Sequence, residues 1–324
     1  MTSVLVTGGA GYIGSHACKA LAEAGFKPVT VDNLSTGHEW AVKWGPLEVG
    51  DIRDGAFLMR VFDTWKPRSV IHFAGLALVG ESAMRPDLYF GNNVAGTLSL
   101  LDAMRGKGIG RIVFSSSCTV YGHPARVPLD ESLPYDPISP YGASKAMAER
   151  LLQDYAAAFA MRAVALRYFN AAGADAGAGI GEAHDPETHL IPLAIAAALR
   201  KGSPLPLFGT DYPTPDGTCI RDYIHVGDLA VAHLKSLAWM DANPGFAAFN
   251  LGNGAGSSVR QVIDAVERIS GLKVPCETAP RRMGDSPVLV ADSGKARQFL
   301  GWSPAIAGLD EIVASAWAWH RSKL

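Results

Sequence analysis

The chain has 324 residues, 48% of them hydrophobic and 19% charged, with a formal net charge of -2. That is enough apolar material for one large core or two smaller ones. With no long run of either charge, a nucleic-acid or anionic-membrane surface is excluded as its main business.

Residues 4–6 read as a strand, followed by a glycine cluster. Ile13, Ala17, Leu21 and Ala24 then recur at three- and four-residue spacing up to Gly25, which predicts strand, turn, helix and C-cap. A strand follows at 28–31, an amphipathic helix at 54–65, a strand at 70–73 and a helix at 94–104. The turn 106–110 leads into a strand at 112–114, a long helix at 141–159 and a strand at 164–168. Short β-branched runs alternating with helical ones predict an α/β fold, a Rossmann-type doubly wound parallel sheet with helices on both faces. After Asn170 a Gly/Ala/Asp stretch breaks the alternation. Helices are expected at 191–199, 259–269 and 311–320, with proline-containing loops between them. The division expected is a dinucleotide-binding domain over 1–170, also receiving a strand and helix from 222–251, and a smaller α/β substrate region over 171–324.

The four cysteines, Cys18, Cys118, Cys219 and Cys276, lie far apart and lack zinc-ligand spacing, so neither a disulfide framework nor a metal is expected. No leader pattern and no span-length apolar run is present, so a soluble cytoplasmic protein is expected. His184 and His189, with Glu182, Asp185 and Glu187 nearby, read as a solvated acidic loop whose spacing does not bring both imidazoles to one face. Trp317 and Trp319 are expected to pack a terminal helix against the second region.

Gly8, Gly11 and Gly14 sit between the first strand and first helix, where glycines let a pyrophosphate approach the helix N-terminus. A glycine triplet alone commonly just makes a turn. Asp32, however, ends the second strand, where a carboxylate can bind an adenosine ribose diol. A 2'-phosphate would meet that charge, and no Arg or Lys occurs in 33–37 to neutralise it, so NAD is expected over NADP.

Tyr141 and Lys145 open the long helix after Pro140, and their i, i+4 spacing puts phenol and ammonium on one face. A phenol titrates near pH 10; a neighbouring cation, with an oxidised nicotinamide, would favour the phenolate. Ser117 follows the 112–114 strand at the sheet's carboxyl edge, where it can reach a sugar hydroxyl. Alone, each of these also reads as an ordinary surface group or turn.

Together with 7–14, Asp32-Asn33, His72-Phe73-Ala74-Gly75, Asn92-Asn93, 115–122, 141–145, Arg167-Tyr168-Phe169-Asn170, 209–213, 216–218, 221–226, Asn250-Leu251-Gly252 and 281–285, they resemble the UDP-glucose 4-epimerases of the extended short-chain dehydrogenase/reductase superfamily. The resemblance covers nearly the whole chain. It implies that Tyr141 takes the C4 hydroxyl proton, with Ser117 assisting and Lys145 holding the cofactor ribose and tuning the phenol. Tyr12, Ile13, Asn33, Asp51, Ile52, Phe73, Ala74, Gly75, Asn92 and Phe169 then line NAD. Asn170, Arg221 and Arg282 face the diphosphate of a UDP-sugar, His189, Leu190 and Phe208 its uracil side, Asp285 the uridine ribose and Leu289 the sugar.

A homodimer through the 94–104 and 141–159 helices is also implied. The resemblance is incomplete at Ala77, a lysine in some members; at His189, an Asn in others; and at Leu289, a Tyr, Cys or Ser elsewhere, which bears on N-acetyl sugars and UDP-pentoses. A nucleotide-sugar 4,6-dehydratase would carry an Asp-Glu pair after the active-site hydroxyl, but Cys118-Thr119 stands there. A non-catalytic NAD-binding regulator would have no need for Tyr141 and Lys145 together.

Overall fold

The computed structural model describes residues 1–282 and 285–322. In chain order its first half runs β1 (Ser3–Thr7), α1 (Tyr12–Glu23), β2 (Lys27–Asp32), β3 (Leu47–Val49), α2 (Gly55–Trp65), β4 (Ser69–His72), α3 (Val79–Met84), α4 (Pro86–Tyr89), α5 (Gly96–Gly106), β5 (Arg111–Ser117), α6 (Pro140–Phe159) and β6 (Arg162–Tyr168). Capping fixes two of the starts. Asp54 accepts the Phe57 N–H at 2.9 Å before α2, and Ser139 accepts that of Gly142 at 3.1 Å before α6, which has Pro140 in its first turn. Three elements were not expected. β3 is three residues long, too short to show a period, and α3 and α4 are one-turn segments separated at Pro86. The helix expected from residue 94 begins instead with a π-helical turn, Phe90–Ala95, and turns α-helical at Gly96.

The second half continues with β7 (Asn170–Ala172), β8 (Ala174–Asp175), β9 (Ile180–Gly181), α7 (Leu190–Ala198), β10 (Leu205–Phe208), β11 (Ile220–Arg221) and β12 (Tyr223–His225). It ends with α8 (Val226–Ala242), β13 (Gly245–Leu251), β14 (Ser257–Ser258), α9 (Val259–Ser270), β15 (Cys276–Ala279), β16 (Val288–Leu289), α10 (Gly294–Leu300) and α11 (Leu309–Arg321).

Seven parallel strands form one sheet in the order β3-β2-β1-β4-β5-β6-β13. The two-residue period of a strand sends alternate side chains to opposite faces. Leu5, Val70, Ile112, Ala163 and Ala165 pack with Leu58, Leu100 and Leu152 of α2, α5 and α6 on one face. Val4, Val6, Ile71, Val113, Val164 and Leu166 pack on the other with Leu21 of α1, Leu229 and Leu237 of α8 and the buried Trp302. Both faces are therefore dry, which is why the strands are near-continuously apolar. The order reverses between β1 and β4, and the carboxyl ends of these two strands open the crevice where such sheets bind ligands.

A second core lies among α7, α9 and α11, built on Ile191, Ile195, Val262, Val266, Ile312 and Val313. Strand β12 pairs with β7, and β16 pairs with β11, which brings Leu289 beside Arg221. No helix among the described residues is long and apolar enough to cross a membrane. All four cysteines are unpaired.

Candidate active site

The glycines between β1 and α1 serve different purposes. Gly8 has φ +73°, and a Cβ there would come within 2.6 Å of the Ala74 backbone N; a Cβ on Gly14 would meet the Gly8 carbonyl oxygen at 2.1 Å. These two close the loop against the β4 turn and against α1. Gly11 is the N-cap of α1 and offers no side-chain cap, and no acidic residue lies in the first turn. A Cβ on it would meet only the Gly8 carbonyl oxygen, at 3.3 Å. The helix thus presents its unpaired N–H groups and the positive end of its dipole, a seat for an anion. Tyr12 and Ile13 contribute backbone here, because the Tyr12 hydroxyl donates to the Gly173 carbonyl at 2.6 Å and Ile13 packs into the core.

Asp32 is buried at the end of β2, accepting from Ala10 N at 3.0 Å and Leu34 N at 2.9 Å. Burial raises its pKa, and the two backbone bonds oppose that shift. Asn33 turns towards Asp51, which Arg53 grips at 2.6–2.9 Å and holds down at a pKa of about 2. The cation that 33–37 lack therefore does approach this end of the crevice, but already neutralised. Ile52 is buried beneath it, against Gly96.

On the other side of the crevice, Phe73 lies 4.5 Å from the His233 ring, and Ala74 N donates to Thr7 O at 3.0 Å. A Cβ on Gly75 would sit 3.5 Å from Lys145 Nζ. Of the two asparagines, Asn92 bonds only to its neighbour among the described contacts. The buried Asn93 does the pinning: its side chain accepts from Leu76 N at 2.9 Å and donates to Leu76 O and Ser144 Oγ, each at 3.0 Å. It ties the π-helical turn, the 73–76 turn and α6 together, as such turns often do at functional sites.

Tyr141, Lys145 and Ser117 come together above this crevice. Lys145 is buried, its Nζ donating to Ser115 O at 2.9 Å and lying 5.9 Å from the Tyr141 ring centre. Burial pulls it down to about 8, against the upward pull of Glu149. Burial pushes the Tyr141 phenol up to about 12, although the Ser117 hydroxyl favours the phenolate. The protein's own groups thus leave Tyr141 a phenol at neutral pH. Ser117 is itself held by Thr119, whose N–H and hydroxyl donate to its Oγ at 3.2 and 3.0 Å.

Behind them, Arg167 and Glu149 form a buried ion pair at 2.6 Å, joined by Ser116, Tyr121 and Tyr135. Thr119, Asn93 and Arg167 stand within the matching motifs without a role assigned to them, and Glu149 stands outside those motifs. Glu149 was within reach, since Tyr141, Lys145 and Glu149 follow one another at four-residue steps along one helix face.

From the second core, Asn170 N donates to Asp222 O at 3.0 Å, joining β7 to the strands that carry Arg221. Arg221 donates to Ser286 O at 2.8 Å and pairs with Asp285 at 3.3 Å. Arg282 stacks 4.0 Å from the Phe208 ring centre. Leu289 and Phe169 pack on the small apolar cluster of Cys118, Val120 and Tyr121, next to Ser117. Leu190 is the first residue of α7 and His189 its N-cap. Met283 and Gly284 of the 281–285 motif lie outside the described residues.

One expectation is overturned. The segment around His184 and His189 is not a solvated loop with separated imidazoles. Its irregular backbone brings the two rings to 5.1 Å, with Glu182 buried beside them. Trp317 does pack on the second core, whereas Trp319 reaches the first half of the chain, 5.6 Å from Trp40.

A doubly wound parallel sheet with an uncapped glycine-rich turn, a strand-end carboxylate and a Ser/Tyr/Lys group over its crevice defines a dinucleotide-binding protein of the short-chain dehydrogenase/reductase kind. Residues 4–252 match the NAD dependent epimerase/dehydratase family, and the chain belongs to it. It is 52% identical over 318 residues to a UDP-glucose 4-epimerase of Rhizobium meliloti, covering 98% of this chain and 97% of that one. Among solved structures it is similar to the UDP-glucose 4-epimerase of Brucella ovis in complex with NAD, with TM-score 0.95 and 49% identity over 98% of this chain and 99% of that one. It is also similar to that of Bifidobacterium longum with NAD+ and UDP, with TM-score 0.94 and 39% identity over 99% and 98%.

Proposed function

We infer that the chain is an NAD-dependent UDP-glucose 4-epimerase, interconverting UDP-glucose and UDP-galactose. The observation that carries this is Tyr141, Lys145 and Ser117 gathered over a crevice whose floor is an uncapped helix N-terminus. When bound, NAD accepts a hydride from C4 of the sugar and returns it to the opposite face. The residues divide the remaining work. Tyr141 takes the C4 hydroxyl proton and gives it back; Ser117 holds the same hydroxyl; Lys145 holds the cofactor ribose and adds its charge beside the phenol. With the phenol at about 12 in the protein alone, Lys145 and a bound oxidised nicotinamide would together supply the positive charge that favours the phenolate. Proton transfer is therefore poised only when the oxidised cofactor is in place.

Gly8, Gly11, Gly14 and the backbone of Tyr12 and Ile13 take the cofactor pyrophosphate. Asp32 takes the adenosine ribose; Asn33, Asp51 and Ile52 line the adenine end, and Phe73, Ala74, Gly75, Asn92 and Phe169 the rest. Asn170, Arg221 and Arg282 take the UDP diphosphate, His189, Leu190 and Phe208 the uracil side, Asp285 the uridine ribose and Leu289 the sugar wall. Anchoring UDP while leaving the sugar loosely held lets the 4-keto sugar turn over between the two hydride steps. On this reading residues 1–170 and 222–251 serve the dinucleotide and the remainder serves the UDP-sugar.

Incubation with UDP-glucose and catalytic NAD should yield UDP-galactose. A 4-keto-6-deoxy product would instead mark a dehydratase, and no turnover with NAD bound would mark a regulator. The chain is proposed to act in the cytoplasm and to pair with a second copy through the outer faces of α5 and α6. Leu98, Met147 and Phe159 stay exposed on these helices, and sedimentation reads the pairing directly.

A further inference from the structure

The segment leading from β9 into α7 is held from both halves of the molecule. A Cβ on Gly181 would lie within 2.7 Å of the Trp319 indole, so only glycine allows that approach. The Trp319 indole N–H donates to Glu182 O at 2.7 Å, and His38 Nε2 donates to Ala183 O at 2.6 Å. So held, the segment brings two carboxylates and two imidazoles together around the buried Glu182. The ligating atoms of Glu182, His184, Glu187 and His189 all lie within 4.8 Å of one another, the one such His/Cys/Asp/Glu group among the described residues.

Glu182 Oε1 is 2.7 Å from His189 Nδ1 and 3.2 Å from His184 Nδ1, and the Glu187 carboxylate is 3.1 and 3.7 Å from the same two nitrogens. The Glu187 contacts use Oε1 towards His189 and Oε2 towards His184, and the spread from 2.7 Å to the 4.8 Å that bounds the group brackets the ~3.4 Å edge of a tetrahedron with ligand bonds of about 2.0–2.1 Å. The four groups are ion-paired with one another, and a second observation bears on what else they can hold. Glu182 Oε1 and His184 Nδ1 are both buried, yet neither makes a hydrogen bond, although they are 3.2 Å apart. His189 Nδ1 is directed at Glu187 Oε1 instead. Buried polar atoms are normally hydrogen-bonded, so these two leave room for a further partner. Glu187 is held in place, because its Oε1 accepts the backbone N–H groups of Thr188 at 2.7 Å and His189 at 2.9 Å.

We propose that Glu182, His184, Glu187 and His189 bind one zinc-like divalent transition-metal ion. Two imidazoles and two carboxylates suit such an ion and not Mg2+ or Ca2+, which take six or more oxygens. With all four positions filled by protein the site is structural. Its place gives it a task. His184 lies edge-on to Tyr12 of the glycine-rich turn, with ring centres 6.1 Å apart, and His189 is the N-cap of α7. The ion clamps the start of α7 to the dinucleotide turn. The effect on UDP-sugar affinity rests on the function proposed above; the binding of the ion does not.

Protein stripped with a chelator and titrated with zinc chloride is expected to take up one Zn2+ per chain, by calorimetry and elemental analysis, with a higher thermal midpoint. Magnesium chloride should do neither. The variant carrying both Glu182→Gln and His184→Gln should lose the uptake while still binding NAD, which shows that it folds. Metal removal should raise KM for UDP-glucose several-fold with little change in kcat. Absence of stoichiometric Zn2+ in the wild type, or uptake undiminished in the variant, overturns the proposal and leaves an ion-pair cluster. Zinc uptake without epimerisation would overturn the functional reading alone.

Discussion

Tyr141 stands where a general acid–base must stand, but burial holds its phenol at about 12 until a positive ring arrives. Tyr141→Phe is expected to lower kcat by about 100- to 10,000-fold, the usual contribution of such a proton transfer, with NAD still bound. Retained turnover would remove Tyr141 from the mechanism. Asp32 makes the second case. Its buried carboxylate would repel a 2'-phosphate, and Arg53 nearby is already held by Asp51, so calorimetry should show NAD binding far more tightly than NADP. Asp32→Asn should narrow that gap; equal affinities in the wild type would refute the electrostatic argument.

Leu289 packs on the cluster of Cys118, Val120 and Tyr121, at the wall proposed for the sugar. Discrimination by shape in an apolar pocket amounts to about 1–3 kcal/mol. UDP-glucose should therefore outrun UDP-N-acetylglucosamine in kcat/KM by tens to hundreds, and Leu289→Ser should shrink the ratio. An unchanged ratio assigns the limit elsewhere. Gly8, Asp32, Tyr141 and Lys145 were legible as candidates because their spacing sets them together at strand ends and on one helix face, although each alone also reads as a turn or a surface group. Asn93 and Thr119 were not, since what they do depends on which distant backbone they meet.

Helix α6 carries more than its two proposed functional groups. One turn beyond Lys145, Glu149 is fully buried and takes hydrogen bonds from Arg167, Ser116 and Tyr135. Glu149→Gln keeps the shape but leaves the Arg167 cation without its counter-charge, so a loss of about 3–5 kcal/mol is expected. Urea unfolding reads it, and a change below about 1 kcal/mol would mean that the two tyrosines suffice. The helices and strands that bury a clear stripe or a dry run were foreseen from hydrophobic period alone. β3, α3 and α4 are too short to have a period, and Phe90–Ala95 departs from the α-helical one. The 182–189 segment was misread for a different reason. Periodicity describes regular backbone, whereas its side chains converge because Trp319 and His38 hold an irregular one.

Among the described residues burial lowers the pKa of five histidines, His16, His72, His225, His233 and His320, three of them strongly. Burial lowers His16 and His233 to about 4 and His72 to about 3. In the unfolded chain they titrate near 6.5, so below that pH the unfolded state binds protons that the folded state refuses. Stability should be flat with respect to these groups above pH 6.5. It should then fall towards pH 4 by up to about 1.4 kcal/mol per pH unit for each histidine. Denaturant midpoints at pH 7.5, 6 and 5 test this; a constant midpoint would mean that the rings protonate without unfolding.

The last strand of the sheet has a consequence in time. β13 covers the edge of β6 along all seven residues, yet it follows β6 by roughly eighty residues of chain. At about 5–20 residues per second a ribosome needs several seconds to cross that interval. Throughout it the nascent sheet shows an open, apolar edge of the sort that recruits other chains. The intervening segment therefore has a duty during synthesis that the finished fold conceals: to reach β13 before another chain reaches β6.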